Sequence, residues 1–248
     1  MANRYWVGGS GTWDDSSTTH WSTTSGGSAG ASAPTGSDVC IFNSSSGGGT
    51  ITVSAYDGGN SFTINASGFT GAFSGALAIN PAASTIGSTA TFSSLALTLS
   101  CLGSGGTLTT SGKTFGSITV RGDSAFGGAY ITLVGALNTV GNLRFLSSDY
   151  VAELRLDTVT NSIAGIECNP PYDPFSTGLK SSIISKTTGT QATLSCSTGT
   201  NTLSYLAAKD INFTGGAIWL VGTAFIDNGN NTGLTTGTSA FSLFFGGL

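Results

Sequence analysis

The chain has 248 residues and a formal charge of −4, and serine, threonine and glycine make up close to half of it. Charged residues reach only 8% and the eight Lys plus Arg form no basic run, which excludes a nucleic-acid binder built on clustered positive charge. No apolar stretch approaches the ~18 residues of a membrane-spanning helix, and leucine, isoleucine, valine and phenylalanine recur too steadily for a disordered chain.

Residues 1–48 stand apart from the rest. They hold three of the four tryptophans, Trp6, Trp13 and Trp21, in a Gly/Ser/Thr background that ends at Pro34-Thr35-Gly36-Ser37-Asp38-Val39. An open stack of β coils exposes strand edges at its end and needs a cap, and large aromatics on an irregular segment suit that purpose. The competing reading makes Trp6, Trp13 and Trp21 a glycan-binding platform, because indole faces also stack on sugars. The opening Met1-Ala2-Asn3-Arg4-Tyr5-Trp6 carries no apolar h-region, which points to cytosolic synthesis. Cys40, Cys101, Cys168 and Cys196 lie far apart with no CxxC pair, so they are expected as buried thiols.

From residue 49 to 233 the pattern is short alternating runs between Gly, Ser, Asn or Asp. Thr50-Ile51-Thr52-Val53, Leu95-Ala96-Leu97-Thr98-Leu99, Ser117-Ile118-Thr119-Val120, Tyr130-Ile131-Thr132-Leu133 and Glu153-Leu154-Arg155-Leu156 are examples. Period-two alternation bounded by turn residues predicts half-buried strands, recurring about every ten residues. Helix formers such as Glu, Lys, Arg and Gln are scarce, and no run reads as a capped amphipathic helix. The predicted fold is all-β. A β-solenoid is favoured because runs repeatedly begin after Gly-Thr or Gly-Ser, as at Gly106-Thr107 and Gly116-Ser117, and because hydroxyl ladders tolerate close stacking. The repeat has no single period, and a β-sandwich or jelly roll is the alternative.

Few residues in the chain could carry chemistry. His20 is the single histidine and sits between Thr19 and Trp21, where a hydrogen-bonded structural role is expected rather than a catalytic triad. Metal sites built on several His or Cys are excluded by count and spacing, and no cofactor is expected. The best carboxylate candidates are Glu153 and Asp157, which alternation places on one strand face with Arg155 between them. Paired acids on such a face are what a polysaccharide-cleaving enzyme needs. A neighbouring Arg instead keeps both ionised, which suits a solvated structural face. Asp227-Asn228-Gly229-Asn230-Asn231 lacks the regularly spaced acids and terminal Glu of an EF-hand loop and reads as a tight turn.

Residues 234–248 form an apolar tail ending Phe241-Ser242-Leu243-Phe244-Phe245-Gly246-Gly247-Leu248. Such a stretch is expected to pack on its own coil stack or on a neighbouring subunit, with Phe241, Leu243, Phe244 and Phe245 as subunit-interface candidates.

Two segments carry a resemblance. Tyr5-Trp6-Val7-Gly8-Gly9-Ser10-Gly11-Thr12-Trp13, His20-Trp21-Ser22 and Pro34-Thr35-Gly36-Ser37-Asp38 resemble the opening of β-solenoid-like proteins of phage genomes, metagenomic contigs and some bacterial surfaces. Thr214-Gly215-Gly216-Ala217-Ile218-Trp219 and Asp227-Asn228-Gly229-Asn230-Asn231-Thr232-Gly233 are similar to the C-terminal part of the same group. The resemblance implies a non-enzymatic bacteriophage virion protein, a head decoration, tail fibre or spike. It would be a homo-oligomer, with a trimer favoured, assembled in the host cytoplasm with other virion proteins. Charge and hydropathy leave out nucleic acid and membrane as partners, and whether a host surface glycan is a further partner for host attachment stays open. A bacterial surface adhesin or glycan-binding module, and a polysaccharide depolymerase, are the alternatives.

Overall fold

The computed structural model describes residues 2–14, 16–35, 38–54, 63–79, 84–86, 89–101, 105–122, 130–146, 152–168 and 181–236. The strands follow the chain in rungs. The first rung holds β1 (Asn3–Trp6), β2 (Gly11–Trp13) and β3 (Trp21–Ser22); the second holds β4 (Val39–Ile41) and β5 (Thr50–Val53), joined through a 3-10 turn at Ser44–Ser46. Then come the pairs β6 (Thr63–Asn65) and β7 (Ala72–Ile79), β8 (Ser84–Thr85) and β9 (Thr91–Cys101), and β10 (Gly106–Thr109) and β11 (Thr114–Gly122).

From there each rung has three strands. They are β12 (Tyr130–Val134), β13 (Asn138–Thr139) and β14 (Asn142–Leu146), then β15 (Glu153–Leu156), β16 (Thr160–Ile163) and β17 (Gly165–Cys168). Next come β18 (Ser181–Ser185), β19 (Ala192–Cys196) and β20 (Thr200–Leu203), then β21 (Leu206–Lys209), β22 (Ile211–Thr214) and β23 (Ile218–Val221). The last rung holds β24 (Ile226–Asp227) and β25 (Thr235–Thr236).

Each strand lies on the corresponding strand of the rung before it. One 11-stranded sheet runs β24-β21-β18-β15-β12-β10-β8-β6-β4-β1-β3, a second runs from β2 to β22, and a third runs β20-β23-β25. Among the described residues every strand pairing is parallel except β1 with β3. A sandwich of hairpin-linked strands would be largely antiparallel, so the chain is a β-solenoid. The cross-section changes along the stack. β11 is a single long strand, and the next rung meets it with two, β13 and β14, so the long second face breaks at a corner.

Stacking sorts the side chains by column. Leu77, Leu97, Ile118, Leu143 and Ile166 occupy one register, and Ile79, Leu99, Val120, Phe145 and Cys168 the next but one. All ten but Cys168 are buried, and they belong to one hydrophobic core that extends from Trp6 to Trp219. Between them the outward column reads Ala78, Thr98, Thr119, Arg144 and Glu167. Alternation along each strand is therefore the alternation between core and solvent.

The absence of one sequence period has a plain cause. Rung length drifts, because the corners absorb different numbers of residues. In the first sheet the step between stacked partners falls from 29 residues (Glu153 to Ser182) to 19 (Ala207 to Ile226). Parallel strands constrain register locally and leave turn length free, so self-similarity blurs while the fold persists.

Candidate functional site

The Trp-rich opening is built from the inside out. β1 pairs with β4 and β2 with β5, so this segment continues both sheets, while β3 runs antiparallel along the free edge of β1. Trp6 and Trp21 are 1% exposed and Trp13 is fully buried. Trp21 meets Trp6 and Trp13 edge-on at 5.3 Å each, and all three surround Phe42. The contacts continue through Phe73, Phe92 and Phe115, with Phe73 and Phe92 stacked at 5.0 Å. Each such ring pair adds about 0.5–1.5 kcal/mol beyond the area it buries.

This burial speaks against the glycan-platform reading of Trp6, Trp13 and Trp21. Stacking on a sugar needs an exposed indole face, and these three face one another across the core end. His20 completes the arrangement. Its ring stacks on Trp6 at 4.5 Å, and Nδ1 lies 3.0 Å from the Val7 carbonyl oxygen, a bond that requires the proton on Nδ1. A Cβ at Gly11 would fall 2.2 Å from His20 Nε2, so the glycine before Thr12-Trp13 makes room for the imidazole.

The Pro34–Val39 segment fastens the same end. Asp38 Oδ1 accepts from the Ala2 amide, and Oδ2 accepts from the Thr35 amide and hydroxyl, at 2.9–3.0 Å. Burial pushes the Asp38 carboxyl up, but these hydrogen bonds outweigh it and hold it below the usual aspartate range.

The carboxylate face is equally committed. Glu153 Oε1 lies 2.6 Å from Arg155 Nε, and its other oxygen accepts from Ser182 Oγ. The Arg155 guanidinium also sits 3.5 Å above the Tyr130 ring. Asp157 turns elsewhere: Oδ2 accepts from the Gly135 amide at 2.9 Å, and Oδ1 pairs with Lys186 Nζ at 2.8 Å. Burial works against its charge, yet the Gly135 amide, Lys186 and the Thr158 amide together lower its pKa. A general acid needs the opposite shift. The two acids thus have separate partners, Arg155 for Glu153 and Lys186 for Asp157.

Around Asp227–Asn231, read from sequence as a tight turn, the chain leaves β24 and bends at Gly229, and its side chains staple rungs together. Asp227 Oδ1 accepts from the Gly229 amide and from Asn231 Nδ2. Asn230 Nδ2 donates to Asp210 Oδ1 at 2.7 Å, while Asn231 accepts from the Ile211 amide and donates to the Ala208 carbonyl. The first-sheet column Ile131, Leu154, Ile183, Ala208 ends on Asp227, so the apolar row stops at a polar turn.

Sequence reasoning missed two buried asparagines, Asn161 and Asn201. Asn161 is fully buried; its Oδ1 accepts from the Leu137 amide, and its Nδ2 donates to the carbonyls of Asp157, Val159 and Thr193. Asn201 Oδ1 accepts from the Ile166 amide at 3.0 Å. The signal was present as a recurring strand pattern, Thr160-Asn161-Ser162-Ile163 in β16 and Thr200-Asn201-Thr202-Leu203 in β20.

Three free thiols are described: Cys40 and Cys196 are buried, and Cys168 is partly so, with burial raising its pKa to about 12. Phe241, Leu243, Phe244 and Phe245 lie outside the described residues. Among the described residues no group of three or more His, Cys, Asp or Glu could hold a metal ion, and no helix is long and apolar enough to cross a membrane. No family model, curated protein or solved structure matches the chain.

Proposed function

We propose that this chain is a non-enzymatic structural component of a bacteriophage virion, a head decoration, fibre or spike, working as a homo-oligomer with three copies favoured. The observation that carries the reading is a β-solenoid, parallel among the described residues except at β1–β3, with one hydrophobic core and outer columns of small, hydroxyl and few charged side chains. Such a stack is a rigid spacer whose length is set by rung number, which suits a load-bearing appendage more than a reaction vessel. The engagement of Glu153 and Asp157 with separate cations favours this over a depolymerase, and the burial of Trp6, Trp13 and Trp21 favours it over a glycan-binding module. The resemblance of the opening and closing segments to phage solenoid-like proteins adds to it.

Cryo-electron microscopy of the native assembly tests the reading. Symmetric copies on a capsid or tail are expected, and their position separates decoration from host attachment. Copies on a cell surface, or a free monomer, would overturn it.

A further inference from the structure

The turn after β24 holds a step found nowhere else in the chain: Asn228 is the only asparagine that precedes a glycine. The backbone nitrogen of the following residue can attack an asparagine side chain at Cγ, and glycine permits this best because no Cβ crowds the nitrogen. Space is open at this turn. Asn228 and Gly229 are both exposed, and a Cβ built at Gly229 meets nothing within 4 Å.

The neighbouring asparagines are tied down. Asn230 Nδ2 donates to Asp210 Oδ1 and the Gly189 carbonyl, and the Asn231 side chain is held by the Ile211 amide, the Ala208 carbonyl and Asp227. Among the described residues the Asn228 side chain makes no hydrogen bond, so its amide is free to turn toward the Gly229 nitrogen. Asp227 Oδ1 already accepts from the Gly229 amide at 2.8 Å, within reach of the proton that must leave that nitrogen.

We propose that Asn228 deamidates spontaneously in the folded protein and that the conversion loosens this turn. Gly229 N bonds to Asn228 Cγ, and its proton passes to Asp227 Oδ1. The Cγ–Nδ2 bond breaks, the departing nitrogen takes up that proton, and ammonia leaves behind a five-membered imide. Water is the one co-reactant. It opens the imide at either carbonyl, giving aspartate at position 228 or isoaspartate, whose backbone runs through the side-chain carbon. The two reacting groups are adjacent in one chain, so no encounter has to be arranged.

The loosening follows from what the backbone does here. The Asn228 amide donates to the Ala208 carbonyl at 2.9 Å, and the Gly229 carbonyl accepts from the Asp210 amide at 3.1 Å. Isoaspartate inserts a methylene between those two groups, so they no longer match the spacing of their partners on the rung of β21 and β22. Either product also sets a new negative charge beside Asp227 and near the buried Asp210.

Peptide mapping by mass spectrometry on the purified full chain, aged in mildly alkaline buffer, tests the chemistry independently of any virion role. Conversion at Asn228 is expected at least tenfold faster than at any other asparagine, and within tenfold of a free peptide spanning residues 224–234. Equal rates at Asn228 and elsewhere overturn the proposal. A folded chain more than tenfold slower than the peptide also overturns it, because the turn would then guard the site. Hydrogen exchange on the aged protein should show the amides of residues 228 and 210 at least tenfold faster than in fresh protein. An aged Asn228→Ala variant should show no such change at residue 210. Unchanged exchange in fully converted protein, or an equal rise in the variant, overturns the loosening.

Discussion

At the residue scale, several polar side chains of this stack fasten one part of the chain to another. Asp38 and Asp157 accept backbone amides from residues far away in sequence, and both carboxyls are held below the usual aspartate value of 3.8. The linkage follows from the direction of the shift. A carboxylate with a depressed folded pKa contributes stability that is complete above its unfolded value and is lost as pH falls through the folded one. Thermal unfolding followed by circular dichroism should therefore show a falling midpoint below about pH 4. Asp157→Asn should lower the midpoint at pH 6 and flatten its fall toward pH 2.5. An identical slope in the variant would show that Asp157 does not carry the effect. Glu153 and the exposed Arg144–Glu167 pair belong to a weaker category, since half-exposed ion pairs contribute about 0–1 kcal/mol each.

At the scale of the element, most strands were legible because alternation is a direct consequence of facing a core on one side. Thr50–Val53 is β5 as read, and Tyr130–Leu133 and Glu153–Leu156 fall within β12 and at β15. The corners were not legible. Nothing local announces that β11 is followed by two short strands instead of one, or that Asn161 turns inward to satisfy one amide and three carbonyls. Those roles depend on the rung below and the rung above, 24 and 32 residues away. The tryptophans were ambiguous for a related reason: an indole in a Gly/Ser/Thr background looks the same whether its face meets a sugar or Phe42.

Glycine at the corners is a second such feature. Gly215, in the Thr214-Gly215-Gly216-Ala217 turn, has φ +97°, and a Cβ there would lie 1.9 Å from the Cys196 carbonyl oxygen on the rung beneath. Gly215→Ala combines a disfavoured backbone conformation with a clash against backbone, and should cost about 2–4 kcal/mol. Urea unfolding of the variant checks this, and a loss under about 0.5 kcal/mol would mean the corner re-forms without strain.

At the scale of the whole molecule, a solenoid is stabilised by nearest neighbours, so damage at one end is felt through the rungs in between. The core is nonetheless continuous from Trp6 to Trp219, which makes the intact stack one cooperative unit. The distribution of tryptophan allows the two statements to be separated. Trp6, Trp13 and Trp21 cluster at the N-terminal end, while far-ultraviolet circular dichroism reports strands along the full length. In urea, fluorescence and dichroism of the native chain should give coincident transitions. Trp13→Ala removes a ring packed against both Trp21 and Phe42, at a cost of about 3–5 kcal/mol, and that loss falls on the first two rungs. Fluorescence from Trp6 and Trp21 should then change at lower urea than the dichroism, because the cap opens before the body. Coincident curves shifted together would instead mean that the cap and the body cannot unfold apart. The aromatic end would then stabilise every rung of the stack.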